Sequence, residues 1–176
     1  MSAPLIAPLA RADAGDPGLA ALIERGEQLG VPDETFPLIL ARAPGYAQPL
    51  MRALIVSHAD GAVDHKLKEI IRILLARRAG DAYFAGLRSK RARDAGLDEA
   101  TIAAGVDDYE RSTRFTEAEK WALRYADNMY LNADAIDAAF YAQLKRHYSE
   151  AQIMELGAFI AFHYGMQVFM GTLRAA

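Results

Sequence analysis

The chain has 176 residues, 52% of them hydrophobic, which is long enough for one domain with a sizeable core. Its formal net charge of −3 gives no reason to expect nucleic-acid binding. The sequence contains no cysteine, which excludes disulfides and any reaction that needs a thiolate. The absence of cysteine also suits the cytoplasm, which is the location that we expect.

The N-terminal segment predicts an extended arm rather than a helix. Residues 4–17 are rich in Pro, Ala and Gly, which favour turns and irregular backbone. The first residues lack a basic leader, and their apolar run is short and interrupted by proline, so we expect no signal peptide. We therefore predict a single domain over residues 1–176, with 1–17 as its arm.

Most of the remaining chain shows apolar residues at helical spacing, separated by turn residues. Outside residues 69–97, helices are predicted at about 18–29, 35–42, 46–60, 98–104, 116–130, 134–147 and from 149 to the end. Two of them begin with a capping box, Thr116 with Glu119 and Ser149 with Gln152. No stretch alternates with period two over strand length. The sequence therefore predicts an all-α fold of about eight to nine helices.

Residues 69–97 predict two helices joined by a break at Gly80. Glycine ends helices readily because it tolerates left-handed dihedral angles, and Asp81 is a favoured N-cap for the helix that follows. We expect this second helix to continue to the Gly-Leu pair that ends the stretch. The spacing i, i+3, i+7 would then place Asp81, Phe84 and Arg88 on one face of it.

This stretch resembles the core hairpin of the alkylhydroperoxidase D-like (AhpD-like), or carboxymuconolactone decarboxylase, superfamily. Redox members carry a Glu, a Cys twelve residues later, a second Cys at plus three and a His at plus seven. The matching positions here are Glu69, Asp81, Phe84 and Arg88, followed by the family's Ala and Gly-Leu at Ala92, Gly96 and Leu97. The resemblance implies an AhpD-like helical bundle that forms oligomers, as family members generally do.

The thiol chemistry of the redox relatives is excluded here. A thiol peroxidase needs a thiolate nucleophile and a resolving thiol. Neither can exist in a chain without cysteine. The sequence therefore predicts a non-redox member of the superfamily.

A catalytic interpretation assigns new roles to the same positions. If the family geometry holds, Glu69 points at the face formed by Asp81 and Arg88. Arg88 stays protonated and can clamp a carboxylate with two parallel hydrogen bonds, while Glu69 or Asp81 moves a proton. Tyr83 and Phe84, for which a core position is the default, would contact the substrate. This suits a lyase-type, decarboxylase-like reaction on a small organic acid or lactone, with no cofactor and no metal.

A structural interpretation explains the same residues without catalysis. Asp81 stands where an N-cap belongs, and Glu69 and Arg88 could form a partly buried ion pair. The chain would then be a non-catalytic assembly or ligand-binding module. An accessible cavity lined by these side chains favours the first interpretation, and a closed ion pair favours the second.

The histidines offer further candidates. His163 lies in the apolar C-terminal helix, where a core histidine is the default, but it becomes the best general base if it faces the hairpin carboxylates. His58 and His65 flank Asp60 and Asp64 across a turn and could hold a metal. Their spacing fits no tight helical pair of ligands, so we expect surface or helix-end roles instead.

The C-terminal helix bears on assembly. Residues 153–173 are long enough to span a bilayer, but they include Glu155 and His163, which are costly inside a membrane. We therefore expect a buried helix and no membrane partner. A helix that is apolar nearly all round must be covered on most sides, so we predict a homo-oligomer formed through it. The alternative is a central helix that lies wholly inside the monomer. Small residues that let another helix approach recur every four positions, at Gly157, Ala161 and Gly165.

Overall fold

The computed structural model describes residues 4–33 and 35–173. Its secondary structure within these ranges is helical and contains no strand, which confirms the predicted all-α class. The helices are α1 (Pro17–Gln28), α2 (Thr35–Leu40), α3 (Pro44–Ala59), α4 (His65–Arg78), α5 (Ala82–Gly86), α6 (Lys90–Asp94), α7 (Glu99–Asp107), α8 (Glu117–Leu131), α9 (Ala138–Leu144) and α10 (Glu150–Leu173).

Both predicted capping boxes are present. The Thr116 hydroxyl accepts a hydrogen bond from the Glu119 backbone N–H at 3.2 Å, and the Glu119 carboxylate accepts one from the Thr116 N–H at 2.8 Å. Ser149 and Gln152 exchange the same two bonds at 3.3 and 3.0 Å. These reciprocal bonds satisfy backbone donors that the first turn of a helix leaves free, so α8 and α10 begin where the sequence predicts.

The centre of the molecule is α4. Each of its residues from 67 to 76 is buried, and the helix contacts α5, α6, α7, α8 and α10. The run includes three charged residues, Lys68, Glu69 and Arg72. A charge removed from water is stable only when it is paired and hydrogen-bonded, so the partners of these three side chains decide the local structure.

The N-terminal segment lies against the end of the chain. The Leu5 N–H donates to the Leu173 carbonyl at 2.9 Å, and the Leu9 N–H donates to the Leu38 carbonyl at 3.1 Å. These bonds attach the segment before α1 to the end of α10 and to α2. Residues 1–3 of the expected arm lie outside the described residues.

The break at Gly80 is confirmed, but the single long helix predicted after it is wrong. Gly80 has a φ of +68°, the left-handed conformation that ends α4. After α5, Leu87 and Ser89 have ψ angles of 147° and 123°, so the backbone is extended before α6 begins. Asp81, Phe84 and Arg88 therefore do not share one helix face. The physical reason is an ion pair beneath the break, described below.

The C-terminal helix is buried on one side only. Its residues Met154, Val168 and Phe169 are 62%, 44% and 40% exposed. Among the described helices, α10 is the one that is long and apolar enough to cross a membrane by length and composition. In its most apolar stretch, 39% is buried within the chain. One such helix is weak support for a membrane span, because core helices of soluble proteins pass the same test.

Candidate functional site

Glu69 and Arg72 form a buried, two-pronged ion pair one helical turn apart. The Arg72 Nε donates to Glu69 Oε2 at 2.9 Å, and Nη2 donates to Oε1 at 2.8 Å. The two side chains are only 1% and 3% exposed. A bidentate guanidinium–carboxylate contact is the geometry in which such a pair best offsets its loss of hydration.

The same two side chains satisfy the backbone of the α5–α6 break. Arg72 donates from Nη1 to the Phe84 carbonyl and from Nη2 to the Leu87 carbonyl, both at 2.7 Å. The Glu69 Oε1 accepts the Ser89 N–H at 2.7 Å. In a continuous helix each of these carbonyls would accept a bond from the N–H four residues later, and the Ser89 N–H would donate to the carbonyl four residues earlier. The ion pair takes the place of those helical bonds, so the helix can break inside the protein without unsatisfied backbone groups.

The environment of Glu69 keeps it ionised. Burial by itself would raise the pKa of its carboxyl, but the Arg72 charge and hydrogen bonds outweigh burial and hold the pKa at about 2, with further help from His58 and the Ser89 N–H. Glu69 is therefore a carboxylate at neutral pH, enclosed by protein groups. This arrangement is the closed ion pair of the structural interpretation, formed with Arg72 as partner.

Arg88 has a different partner from the one expected. Its Nε and Nη2 donate to the two carboxylate oxygens of Glu99 at 2.7 and 2.9 Å. Its Nη1 donates to the carbonyls of Ala85 and Leu87 at 2.7 and 2.8 Å. The proposed Glu69–Arg88 pair is therefore wrong. The Glu99 hydrogen bonds, followed by its charge, raise the pKa of Arg88 further above its usual value.

Asp81 and Arg88 do line one groove, on the outer surface of the hairpin. The groove has a volume of 430 Å³ and is also lined by Arg77. Asp81 Oδ1 accepts the Phe84 N–H at 2.9 Å, so the carboxylate caps α5 as predicted. Glu69 and Phe84 are absent from the groove lining. Arg77 makes no side-chain hydrogen bond or ion pair within the described part of the chain, which leaves a free guanidinium at the groove.

The two aromatic candidates point away from that groove. Phe84 is only 6% exposed and packs edge-on against Tyr83, with ring centroids 5.1 Å apart. The Tyr83 hydroxyl lies 2.7 Å from Thr35 Oγ1 and donates to Asp33 at 3.2 Å. Burial, reinforced by the Asp33 charge, raises the pKa of Tyr83 to about 12. These contacts give both side chains a packing role at the start of α2.

Three histidines form a cluster on the other side of α4. The His58 ring centroid lies 5.4 Å from that of His163 and 5.7 Å from that of His65. His58 is only 2% exposed, so a surface role is wrong for it, although it does lie at a helix end, in the last turn of α3. Burial lowers the pKa of His58 to about 3 and that of His65 to about 4, despite the opposing Glu69 charge. Burial also lowers the pKa of His163 well below its usual value.

These neutral rings carry hydrogen bonds to two serines. His163 Nε2 lies 3.2 Å from Ser57 Oγ, and His65 Nε2 lies 2.8 Å from Ser89 Oγ. Among the residues that the structure describes, none is a hydrogen-bond partner of the Nδ1 atom of His58 or of His65. Over residues 4–33 and 35–173, no group of three or more His, Cys, Asp or Glu side chains is arranged to hold a metal ion.

Sequence reasoning missed Arg72, the residue that organises the hairpin. A signal was present, because Lys68, Glu69 and Arg72 interrupt a run that is otherwise Ile and Leu. A helix that is apolar on all sides is buried, and a charge within it needs a partner within reach. The spacing of three residues places Glu69 and Arg72 side by side on the helix surface.

The helices form an AhpD-like, all-helical fold, which the likeness to solved structures shows. Solved structures that share it include the debrominase Bmp8, as a cysteine-to-alanine variant in complex with 2,3,4-tribromopyrrole. That structure aligns over 100% of this chain and 92% of its own, with a TM-score of 0.80 and 22% sequence identity. The ligand-free form of Bmp8 aligns over 98% and 91% of the two chains, with a TM-score of 0.79 and 22% identity.

A third structure extends the same comparison. An uncharacterized peroxidase-related protein from Silicibacter sp. TM1040 aligns over 100% of this chain and 94% of its own, with a TM-score of 0.76 and 14% identity. No protein-family model and no curated protein sequence matches this chain. At these identities the likeness shows a common fold.

Proposed function

We propose that this protein is a cysteine-free, non-redox member of the carboxymuconolactone decarboxylase-like group that binds a small organic acid in the groove beside α5. Asp81 transfers a proton there, and Arg77 and Arg88 hold the acid's carboxylate. The observation that carries the proposal is the convergence of these three side chains on one solvent-open groove of 430 Å³.

Charge and availability support the division of roles. Arg88 is already engaged by Glu99 and two backbone carbonyls, so it contributes mainly its positive charge. Arg77 has its planar set of donors free, and a guanidinium binds a carboxylate through two parallel hydrogen bonds. The acid–base role predicted for Glu69 or Asp81 passes to Asp81, because Glu69 is enclosed and held ionised by Arg72.

The neighbouring structures support a small organic ligand. Bmp8 was solved with 2,3,4-tribromopyrrole, which shows that this fold can accommodate a compact organic molecule. A thiol mechanism does not transfer to this chain, because the chain has no cysteine. The decarboxylase side of the superfamily handles small lactone acids without a thiol, and the groove offers the charges that such a substrate requires.

Binding and proton transfer can be tested with 2-oxoglutarate as the probe. Calorimetry should detect binding at neutral pH, and Arg77→Gln should weaken it at least about tenfold, because one charge-assisted bidentate contact is lost. Arg25→Gln, on α1 and outside the groove, should leave the affinity unchanged. In D₂O, proton NMR should show exchange of the C3 protons of the probe faster than in a protein-free control.

Asp81→Asn separates the proton-transfer role from the capping role. Asparagine caps a helix as well as aspartate does, so α5 should stay folded, while the exchange of the C3 protons should fall to the protein-free rate. Binding without enhanced exchange in the unaltered protein would indicate the alternative function, a non-catalytic ligand-binding module. Absence of binding at millimolar concentration would refute the proposed site.

We also propose that the chain forms a homo-oligomer through α10. The exposed residues Met154, Val168 and Phe169 give this helix an apolar outer face, and burial of such a face stabilises association. Light scattering should show a mass above that of one chain, and the variant Phe169→Glu should reduce it. A monomeric mass for the unaltered protein at micromolar concentration would exclude this assembly.

A further inference from the structure

A second pocket lies between α3 and α10, away from the groove. It has a volume of 390 Å³, within the range of pockets that hold small molecules. Its walls are apolar and are formed by Ala53, Val56, Ala158, Phe159 and Phe162. None of the residues that line the groove lines this pocket. The two sites therefore differ in position and in chemistry.

A buried ammonium group forms part of the pocket lining. Lys68 is 2% exposed, and its Nζ donates to the Asp60 carbonyl at 2.7 Å and to Glu155 Oε1 at 2.9 Å. A protonated lysine has three N–H donors, so these two bonds leave one donor for a ligand. A buried donor that lacks an acceptor is costly, which favours a ligand with an oxygen acceptor at this position.

The Glu155 carboxylate at the pocket selects against anions. Glu155 is fixed across the α3–α4 connection, because its Oε2 accepts the N–H groups of Ala62 and Val63 at 2.7 and 3.2 Å. Asp60 lines the same pocket, where its backbone carbonyl accepts a bond from Lys68. An anionic ligand would therefore meet the Glu155 carboxylate beside a single ammonium group whose charge Glu155 already balances. A neutral ligand can accept a hydrogen bond from Lys68 without this repulsion.

The remaining polar group of the lining is the Ser57 hydroxyl. It donates to the Leu54 carbonyl at 2.7 Å, so at 3.2 Å from His163 Nε2 it acts as the acceptor. The single hydroxyl proton of Ser57 is therefore engaged by the Leu54 carbonyl and is not available to a ligand. The hydroxyl adds no charge to the pocket and leaves Lys68 as the donor that a ligand meets.

From these contacts we propose that the α3–α10 pocket binds a small, neutral, ring-containing carbonyl compound, such as a ketone, ester or lactone. The ring packs against Phe159 and Phe162, and the carbonyl oxygen accepts the free N–H of Lys68. Aromatic side chains favour ring contacts through both buried area and edge-on geometry. This site is separate from the organic-acid groove, and its ligand differs in charge.

Three matched probes test the chemistry of the ligand. Acetophenone carries the ring and the carbonyl, ethylbenzene lacks the acceptor, and benzoate adds a negative charge. Calorimetry or ligand-detected NMR on the full chain should show acetophenone binding about tenfold more tightly than either of the others, since a hydrogen bond to a charged donor is worth at least that factor. No acetophenone binding at millimolar concentration, or tighter binding of benzoate, would overturn the proposal.

Two exposed alanines of α10 test the location. Ala158 lines the pocket, and Ala151 is exposed one heptad earlier without lining it. Ala158→Leu should fill part of the pocket and weaken acetophenone binding at least about tenfold, whereas Ala151→Leu should leave it unchanged. Equal effects of the two variants would refute this location. The groove proposal is decided separately by Arg77→Gln and 2-oxoglutarate, so the two proposals can fail independently.

Discussion

Two arginine–carboxylate pairs lie on either side of the α5–α6 break, and they differ mainly in burial. Glu69–Arg72 is almost fully enclosed, whereas Arg88–Glu99 joins side chains that are 22% and 70% exposed. Both pairs are bidentate, and their bond lengths lie between 2.7 and 2.9 Å. The similarity of the contacts makes the comparison a direct one between a buried and an exposed environment.

The difference shows how burial changes what an arginine–carboxylate pair contributes to the fold. Near the surface, water screens the charges and can replace either partner, so the pair contributes little. In the interior, each partner depends on the other, and the backbone groups of the break depend on both. The buried pair is therefore part of the fold. The solvent-facing side of the break remains available for a ligand.

The largest effect is expected from removal of the buried guanidinium. Arg72→Met would leave the buried Glu69 carboxylate without its cationic partner and the Phe84 carbonyl without its donor, while the Leu87 carbonyl would keep only its bond from Arg88. We expect a loss of about 3–5 kcal/mol in the free energy of unfolding, measured with urea at pH 7. Arg77→Met, an exposed arginine on the same helix, serves as the control and should change it by less than about 0.5 kcal/mol.

A double variant sharpens this test. Many buried ion pairs can be replaced by apolar residues without loss of stability. Here Glu69→Leu with Arg72→Leu should remain destabilised by about 2 kcal/mol or more, because the Phe84 carbonyl and the Ser89 N–H lose their partners at about 1–3 kcal/mol each. A double variant as stable as the unaltered protein would show that the break does not depend on this pair.

Acid should destabilise the interior on the histidine side of α4. The folded-state pKa of His58 is about 3, below its ordinary value, so at mildly acidic pH the unfolded chain binds a proton that the native protein does not. Stability is therefore complete above about pH 6.5 and falls as the pH decreases toward 3. Between pH 7 and pH 5 we expect a loss of about 2 kcal/mol for each fully buried histidine, His58 and His163.

Urea unfolding at several pH values measures this loss. His58→Gln should reduce the pH dependence of the free energy of unfolding by about a third to a half, because His163 and the partly exposed His65 still contribute. Substitution of the exposed His147 by Gln should leave this dependence unchanged. A free energy of unfolding that stays constant from pH 7 to pH 5 would contradict the neutral, buried histidine cluster. The Glu69 carboxylate adds little in this range, because its folded pKa of about 2 affects stability only below the ordinary carboxyl pKa.

A third pair, Lys68–Glu155, extends the comparison to intermediate burial, with side chains 2% and 22% exposed. Gly61 has a φ of +111°, and a Cβ added there would lie 2.0 Å from Glu155 Oε1. Gly61→Ala should therefore cost about 1–3 kcal/mol through backbone strain and displacement of Glu155. Gly86→Ala is the matched control, because nothing lies within 4 Å of its added Cβ. Equal thermal stability of the two variants would show that the position of Glu155 against Gly61 does not contribute to the stability of the fold.

The smallest effect is expected at the exposed pair. Arg88→Met removes the contact with Glu99, which can return to water. We expect a change of about 1 kcal/mol or less in the free energy of unfolding, decreasing further in 1 M salt. A loss as large as that of Arg72→Met would mean that burial is not what separates the two pairs.

Local signals predicted much of the fold. The left-handed Gly80, the Asp81 cap and the Thr116–Glu119 capping box depend on residues within one turn of each other, and each was found as expected. Asp81 and Arg88 both line the groove, but the helix that the sequence predicted them to share does not exist. The partner of Glu69 was assigned wrongly, because the family pattern directed attention to Arg88.

The sequence by itself determined the helical class, the helix caps and the absence of thiol chemistry, because these follow from residue spacing, local hydrogen bonds and composition. Only the tertiary structure decided where α5 ends, which arginine Glu69 binds and which charges meet a ligand. The reason is physical. Residues 82–94 can form one continuous helix by local preference, and the break becomes favourable when a guanidinium and a carboxylate from α4 supply the hydrogen bonds that it loses.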